Sequence, residues 1–580
     1  MTQKLIVDIE TTELKNRSVK NVWMVGTKDL STGIRKNFNS PHLQTEQIQE
    51  WINGFDCIIG HNIIGFDSIV MQENLGIDFS NVVLLDTLVL SRLHNPQREG
   101  GHSLGSWGER LGFDKLDFED WTKFSPEMEE YCNRDVDLTE KLYVHLSDKF
   151  EHVEGECVQL EHDVRRIITQ QEHNGWLLDQ RKCFDLMAQF KERTLEVERE
   201  VHRRFKPLPV AGREITPKFK KNGKLSVVGL KFLGDSWGFV CGPFSRVDWP
   251  SFNLGSRQQI ARHLKFFGWK PKKFTEKGHT VVDEQVLENV KIPEAQLIAE
   301  YLLLKKRDAQ VQSWVDAVED DGRVHGEVNT NGAVTGRMTH SNPNMAQVPA
   351  SYSPYGDECR SCWIVPEGYK LVGVDASGLE LRMLAHYMND EGYTNEILTG
   401  DIHTANQLAA GLETRDQAKT FIYAFLYGAG DAKIGSIAGG SAATGKKLKE
   451  QFLSNTPALK ELRERIIHNA EVRGHLLGLD GRKLIIRSSH AAVNTLLQSA
   501  GAIIMKKALT LLEKYAIINT IEFKLVGNIH DEIQAEVPEE QADKFGWLAV
   551  DCIRAAGKEF NLNCPLDGNY KIGNNWKETH

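Results

Sequence analysis

Residues 414–430 read Thr-Arg-Asp-Gln-Ala-Lys-Thr-Phe-Ile-Tyr-Ala-Phe-Leu-Tyr-Gly-Ala-Gly, and the rest of the chain is understood from this stretch. Thr414 suits a helix N-cap. Arg415, Lys419, Tyr423 and Tyr427 then recur every fourth residue, and Gly428 and Gly430 end the run. The spacing predicts a helix with two cations and then two aromatics along one slowly drifting face. Cations complement phosphate oxygens and rings complement a sugar and base, so the stripe fits a nucleoside triphosphate. Taken alone, it reads equally well as a solvated cationic face grading into a core aromatic stripe.

Two acidic segments flank this helix. Upstream, Leu371-Val372-Gly373-Val374-Asp375 reads as a buried strand ending in a carboxylate, and Ser377 to Arg382 opens a helix. Downstream, His530-Asp531-Glu532 lies between an apolar run ending near Val526 and the alternation Ile533, Ala535, Val537, the pattern of a hairpin. A polar turn is the simplest reading of that triplet by itself. One strand-end Asp from each segment is, however, what a two-metal phosphoryl-transfer site needs.

A separate acidic constellation lies near the N-terminus. The first strand ends in Asp8-Ile9-Glu10, and residues i and i+2 of a strand face one side. Such a pair alone is usually a solvated edge. Asn62 and Asp67 follow the apolar run 57–59, and Tyr131 and Asp135 sit four apart on one helix face. Together these give four carboxylates and a tyrosine. Hard oxygen ligands of that kind suit Mg²⁺ or Mn²⁺. Two such ions about 4 Å apart can generate hydroxide and stabilise the leaving oxygen of a phosphodiester.

The bulk numbers set bounds. The chain has 580 residues, 41% hydrophobic and 26% charged, enough for several packed cores in a soluble protein. Nine cysteines, scattered and odd in number, fit a reducing compartment without structural disulfides. No apolar run approaches a membrane span, and the N-terminus lacks the order of a signal peptide, so a cytoplasmic protein is expected. The net charge of −10 argues only weakly against nucleic acid, because acidic metal ligands contribute to it and a groove needs only local basic clusters.

Residues 1 to about 150 read as α/β, and 156–205 as helical, with Gly175 stopping one helix and Asp179 capping the next. Residues 207–255, rich in Gly, Pro, Lys and Ser, read as irregular. A long helix is expected from about Pro293 to Val318, with strands and helices mixed from 323 onward.

The ordered set Asp8-x-Glu10, Asn62 and Asp67, Tyr131-xxx-Asp135 resembles the proofreading exonuclease family, whose fold is similar to ribonuclease H. Asp375…Glu380-Leu381-Arg382, then Arg415 to Gly428, then His530-Asp531-Glu532 are similar to motifs A, B and C of family A DNA polymerases. Thr335-Gly336-Arg337, Asp401-Ile402-His403 and His490-xxx-Asn494-xxx-Gln498 agree. The phrases Asp375-Ala-Ser-Gly-Leu-Glu-Leu-Arg382 and Asn494-Thr-Leu-Leu-Gln-Ser-Ala-Gly501, with Tyr423 and His490, look like the replicative polymerases of T-odd bacteriophages. The resemblance spans nearly the whole chain and is weakest at about 207–250.

The resemblance implies an α/β and α+β multidomain protein: an exonuclease domain at 1–150, then a right-hand polymerase. Its thumb would cover 155–320 with a basic insertion at about 207–252, its palm 321–400 and 471–580, and its fingers 401–470. Asp8, Glu10, Asp67 and Asp135 would be metal ligands, with Tyr131 orienting the attacking water. Asp375 and Asp531 would hold both polymerase metals, with Glu532 close by. Mg²⁺ would serve, two ions per active site, with Mn²⁺ as a substitute. Arg415, Lys419 and His403 would bind the triphosphate, Lys419 also acting as general acid toward pyrophosphate. Glu380 would exclude a 2′-hydroxyl, Tyr423 would face the nucleotide, and Tyr427 would pack against the nascent base pair. Arg337, Asn494, Gln498 and His530 would contact the primer-template in its minor groove, where acceptors common to all correct pairs test geometry and not sequence. The implied partners are primer-template DNA, dNTPs, host thioredoxin at the thumb insertion, and a phage helicase-primase and single-stranded DNA-binding protein, in the bacterial host cytoplasm.

Three rivals are weaker. A stand-alone exonuclease leaves some 400 residues unexplained. A non-catalytic DNA-binding relic sits poorly with intact acidic sites, and a single-subunit RNA polymerase with Glu380 and the nuclease motifs. Cys359-xx-Cys362 lacks a second ligand pair at finger spacing, so no structural zinc is expected. Lys305-Lys306-Arg307 reads as a solvated face or as a phosphate contact, the latter favoured by the resemblance.

Overall fold

The computed structural model describes residues 3–13, 16–150, 155–224 and 242–580. The chain divides into two compact units, one formed by Met1–Leu178 with Ala317–His580, the other by Asp179–Asp316.

In the first unit, the N-terminal part is built on a mixed five-stranded sheet. Its order is Arg35–Asn39, Val22–Asp29, Lys4–Thr11, Cys57–Gly60, Val83–Asp86. Lys4–Thr11 is central, antiparallel to Val22–Asp29 and parallel to Cys57–Gly60. Parallel neighbours require crossovers, which the helical segments between these strands provide. Leu5, Ile6, Val7 and Ile9 are buried, so the sheet is covered on both faces. The register slips between Glu10 and Thr11, a bulge at the strand end that carries the carboxylates.

The C-terminal part of this unit is built on an antiparallel four-stranded sheet ordered Lys524–Ile529, Glu532–Pro538, Tyr369–Ala376, Gly568–Gly573. Val372, Val374, Ile533, Ala535 and Val537 are fully or almost fully buried. The helix Ala542–Glu559 packs on the two strands Tyr369–Ala376 and Gly568–Gly573, and Ala492–Ile518 packs on that helix. Leu160, Val164, Ile167 and Ile168, the expected apolar stripe of the helix Glu156–Asn174, enter the same core. That helix therefore falls in the first unit, whereas the resemblance groups it with the residues after it.

A buried charge quartet ties this helix to the helix Ala492–Ile518 and to the turn 478–482. Arg482 donates to Glu161 at 2.6 Å and to Asp480 at 2.6 Å, and Lys506 donates to Glu161 at 2.5 Å. All four side chains are at most 3% exposed. The two carboxylates and two cations balance, which is the condition for burying such groups.

The second unit pairs two long helices, Gln180–Arg204 and Pro293–Val315. Asp179 caps the first by accepting from the Lys182 amide, as its position suggests. Residues 207–255 are less irregular than their composition implies: Val210–Ile215 and Phe244–Asp248 pair as an antiparallel hairpin. Val210, Ile215, Phe244 and Val247 supply β-branched and aromatic residues that suit a ladder and that Gly and Lys counts conceal. Val227, Val228, Gly229, Leu230, Phe232, Trp237 and Phe239 lie outside the described residues. Lys305 and Lys306 are exposed but Arg307 is 7% exposed and donates to Gln310, so the three residues do not form one cationic face. Among the described residues, no helix is long and apolar enough to cross a membrane.

Candidate functional site

The N-terminal carboxylates converge at the end of the strand Lys4–Thr11. Asp67 opens the helix Asp67–Leu75, and its Oδ1 accepts from the Ile9 amide at 3.2 Å. This places it against the strand segment that carries Asp8 and Glu10. Asp135 and Tyr131 come from one face of the helix Pro126–Ser147. Glu10, Asp67 and Asp135 are buried, at 5%, 4% and 3% exposure.

Four carboxylates in so little water resist ionisation. Burial pushes Glu10 up to about 8, with the Asp135 charge adding to it. Burial also pushes Asp67 up to about 7. Asp8 is held well above its ordinary value, by burial and by the charges of Glu10, Asp135 and Asp67. The Oε1 of Glu10 and Oδ1 of Asp135 are buried without a hydrogen-bond partner. Clustered, under-satisfied oxygens from separate elements fit a hard divalent cation.

Two groups around this site left no local signal in the sequence. The Lys115 ammonium pairs with Asp135 at 2.5 Å and lies 4.9 Å from the centre of the Tyr131 ring. It belongs to the loop after the helix Leu104–Leu111, which has no periodicity to read. Asp86 is fully buried and accepts from the Asn62 amide at 2.8 Å and the Ile64 amide at 3.2 Å. It thereby shapes the turn 60–66, where Asn62 has φ 65°. Asn62 itself thus serves the backbone conformation of that turn.

The second carboxylate site lies at the end of the antiparallel sheet. Asp375 faces Glu532 in register, and the Ala376 amide donates to the Asp531 carbonyl at 3.3 Å. His530 has φ 59°, which turns the strand back between its two arms. Asp375 keeps contact with solvent, yet the surrounding protein strips enough water, with Asp531 and Glu532 near, to push its carboxyl up to about 7. Glu532 differs. It is 6% exposed and accepts from Trp576 Nε1 at 2.7 Å and Gln534 Nε2 at 2.5 Å, and its Oε2 lies 3.0 Å from His580 Nδ1. Despite burial, these partners hold it below its ordinary value. Trp576 and His580 were not legible beforehand, since only the folded sheet brings 576–580 to residue 532, whereas Gln534 lies two residues on along the same strand.

The helix Arg415–Leu426 opens on Thr414, which forms a capping box with Gln417. Arg415 and Tyr427 are exposed and Tyr423 is half-buried, so the stripe faces outward. Lys419 is exposed and makes no ion pair among the described residues. Arg415 instead holds Asp401 in a bidentate pair at 2.6 and 3.1 Å. His403, on the helix Ile402–Ala410, lies 6.3 Å from the Tyr423 ring, with its Nδ1 buried and unpartnered. Burial and the nearby Arg415 and Lys419 lower its pKa. Beyond the helix, Gly428 has φ 73°, and a Cβ there would meet the His490 carbonyl at 3.2 Å. Asn494 and Gln498 follow one turn apart on the helix Ala492–Ile518. Glu380 receives the Tyr427 hydroxyl, 2.8 Å from each of its oxygens, and Arg337 at 3.1 Å.

Cys359 and Cys362 are buried, and Cys362 donates to the Glu358 carbonyl. Among the described residues they join no group of potential metal ligands.

Comparison with known proteins places the chain in a class. A family model described as DNA polymerase family A matches residues 244–578. The DNA-directed DNA polymerase of Enterobacteria phage T3 is 38% identical over 616 aligned residues, covering 86% of this chain and 88% of that protein. The DNA-directed DNA polymerase of Escherichia phage T7 is 38% identical with the same coverage. Among solved structures, the POL domain of Pol1 from M. smegmatis, in complex with DNA primer-template and dNTP, superposes with a TM-score of 0.79 at 18% identity, covering 100% of this chain and 96% of that one. This chain belongs to DNA polymerase family A. It is homologous to the polymerases of T7-type phages, and its mixed α/β fold is that of a solved polymerase.

Proposed function

We propose that the chain replicates a phage genome in the bacterial cytoplasm by template-directed synthesis and removes mismatched 3′ ends with its own 3′→5′ exonuclease. The observation that carries this reading is the presence of two separate carboxylate sites, one at the end of each sheet, in a chain of this family. In this reading residues 1–150 form a ribonuclease H-like exonuclease domain, 155–320 the thumb, 321–400 and 471–580 the palm, and 401–470 the fingers.

Mg²⁺, or Mn²⁺ in its place, would be held by Asp375 and Asp531 at one site and by Asp8, Glu10, Asp67 and Asp135 at the other. Bound there in pairs, such ions activate the attacking oxygen and neutralise charge on the phosphoryl group. At the polymerase site, Arg415, Lys419 and His403 bind the triphosphate, and Lys419 supplies a proton to the departing pyrophosphate. Arg415 must first exchange Asp401 for phosphate, and both present planar oxygen pairs that suit its fork. Glu532, saturated by Trp576, Gln534 and His580, supports the catalytic strand pair. Glu380 occupies the space of a 2′-hydroxyl, Tyr423 faces the sugar, and Tyr427 covers the nascent pair. Arg337, Asn494, Gln498 and His530 read the minor groove. At the exonuclease site, Tyr131 orients the attacking water, held by Lys115.

Primer-template DNA and dNTPs are the substrates, and helicase-primase and single-stranded DNA-binding protein the proposed replisome partners. Up to residue 224 the insertion at 207–252 carries Arg213, Lys218, Lys220, Lys221 and Lys224 against the single acid Glu214, and Phe219 and Trp249 are exposed. Such a surface suits either DNA or host thioredoxin acting as a clamp. Long-template extension with trap DNA, with and without reduced thioredoxin and with 210–245 deleted, tests this. Product length indifferent to both rules the clamp out. The reading as a whole is tested by extending a labelled primer-template with Mg²⁺ and dNTPs. Lengthening with dNTPs and shortening without them are expected; failure of lengthening contradicts it.

A further inference from the structure

The N-terminal carboxylate site contains one group that the hydrolytic reading does not use, the thiol of Cys132. It is fully buried, 3.7 Å from Asp8 Oδ2 and 3.8 Å from the Asp8 carbonyl. One ligand atom each from Asp8, Glu10 and Cys132 lie within 4.8 Å of one another.

We propose that Asp8, Glu10 and Cys132 form a binding site for a thiophilic divalent ion, Zn²⁺ or Cd²⁺, that competes with the hard ion needed for excision. The functional consequence rests on the exonuclease reading, while the binding itself does not.

Three observations carry it. The first is spacing. In a tetrahedral zinc site, Zn–S of about 2.3 Å and Zn–O of about 2.1 Å separate sulfur from oxygen by about 3.6 Å. The Cys132 to Asp8 separation of 3.7 Å already matches that. The second is an open acceptor: Glu10 is 5% exposed, and its Oε1 is buried with no hydrogen-bond partner. The third is the room made for sulfur. Gly26 stands opposite Asp8 across the sheet, and a Cβ there would lie 2.6 Å from Cys132 Sγ. A side chain at position 26 would push the thiol away from Asp8.

Sulfur adds little affinity for Mg²⁺, which prefers oxygen, and much for zinc or cadmium. The thiol therefore tilts this site toward soft ions without helping the hard one. On binding, the S–H proton passes to water and the sulfur lone pair forms the metal bond, with no change of oxidation state. The alternative is that Cys132 is a small apolar filler between helix and sheet.

Two measurements on the full, metal-stripped chain decide. In the first, Cd²⁺ is titrated while the ultraviolet sulfur-to-cadmium charge-transfer band is recorded. Wild type should show one more saturable equivalent than Cys132→Ala, and the Asp8→Asn/Glu10→Gln variant should bind that equivalent more weakly. The other cysteines contribute equally to all three. In the second, Zn²⁺ inhibits mismatch excision at fixed Mg²⁺. Loss of one partner of a metal site weakens binding on the order of tenfold or more, so the half-inhibitory zinc concentration should rise by about that factor in Cys132→Ala. Primer extension by the same preparations reports folding. Superimposable cadmium curves for wild type and Cys132→Ala, or an unchanged half-inhibitory zinc concentration, would overturn the proposal. If wild type with Mg²⁺ fails to excise at all, the exonuclease reading falls, and the cadmium titration still decides the site.

Discussion

The Tyr427 hydroxyl sits 2.8 Å from both carboxylate oxygens of Glu380, joining the end of the helix Arg415–Leu426 to the helix Leu379–Met388 that follows Asp375. Arg337 closes on the same carboxylate. Glu380 is thereby fixed in place near the strand end that carries Asp375, as the proposed barrier to a sugar 2′-hydroxyl requires. Glu380→Ala should admit ribonucleotides, lowering discrimination by roughly 10- to 200-fold, the effect of one contact in a tight pocket. The check is single-nucleotide insertion kinetics with dATP and ATP. Undiminished rejection of ATP alongside normal DNA synthesis rules the barrier out.

Tyr423 lies between His403 and Tyr427, at 6.3 and 6.5 Å between ring centres. In the proposed reading its hydroxyl replaces the missing 3′-hydroxyl of a dideoxynucleotide. Wild type should incorporate dideoxynucleotides readily, and Tyr423→Phe should reject them. Equal ratios of dideoxy to deoxy insertion in the two proteins remove that role.

Metal-free protein should lose stability as pH rises. Folding raises Glu10 from 4.5 to about 8 and Asp67 from 3.8 to about 7. A raised folded pKa means that the folded state holds the proton more tightly. The stabilisation is complete below about pH 4 and is lost as pH climbs through 7 to 8. In chelator, Tm should therefore fall across that window, and Mg²⁺ should restore it. Asp8→Asn/Glu10→Gln mimics the protonated pair and should flatten the fall. Parallel Tm profiles for wild type and variant in chelator contradict the electrostatic account.

The quartet Glu161, Asp480, Arg482 and Lys506 should resist single changes. Arg482→Leu strands the buried Asp480 and leaves Glu161 with Lys506 alone, and unpairing a buried ion typically costs about 3–5 kcal/mol. Urea unfolding should show a loss of that size, against little change for the exposed pair Lys446–Glu450. A loss under about 1 kcal/mol, the size of a surface pair, would mean that water reaches the cluster.

Much of both sites was legible because it lies in local periodicities. Asp8 and Glu10 show as i, i+2 on a strand, Tyr131 and Asp135 as one helix turn, and Thr414 as a cap before a four-residue repeat. The strand at Asp375 and the turn at His530 likewise follow from apolar runs broken by polar residues. What escaped is set by tertiary contact. Lys115 reaches Asp135 from a loop, and Trp576 and His580 reach Glu532 across more than forty residues. The Asp401 partner of Arg415 was in view only as part of a motif. The hairpin Val210–Ile215 with Phe244–Asp248 was masked by Gly- and Lys-rich composition, which reports solvation better than strand pairing.

The central claim is that separate carboxylate sites build and trim the same primer end. Its most direct test follows one labelled primer-template, matched or with a 3′ mismatch, through extension and excision by wild type, Asp375→Ala and Asp8→Ala/Glu10→Ala. Asp375→Ala should lose extension by about three orders of magnitude or more while excision stays within a few-fold, and the double variant should do the reverse. Loss of both activities together in either folded variant, or excision untouched in the double variant, would contradict the account.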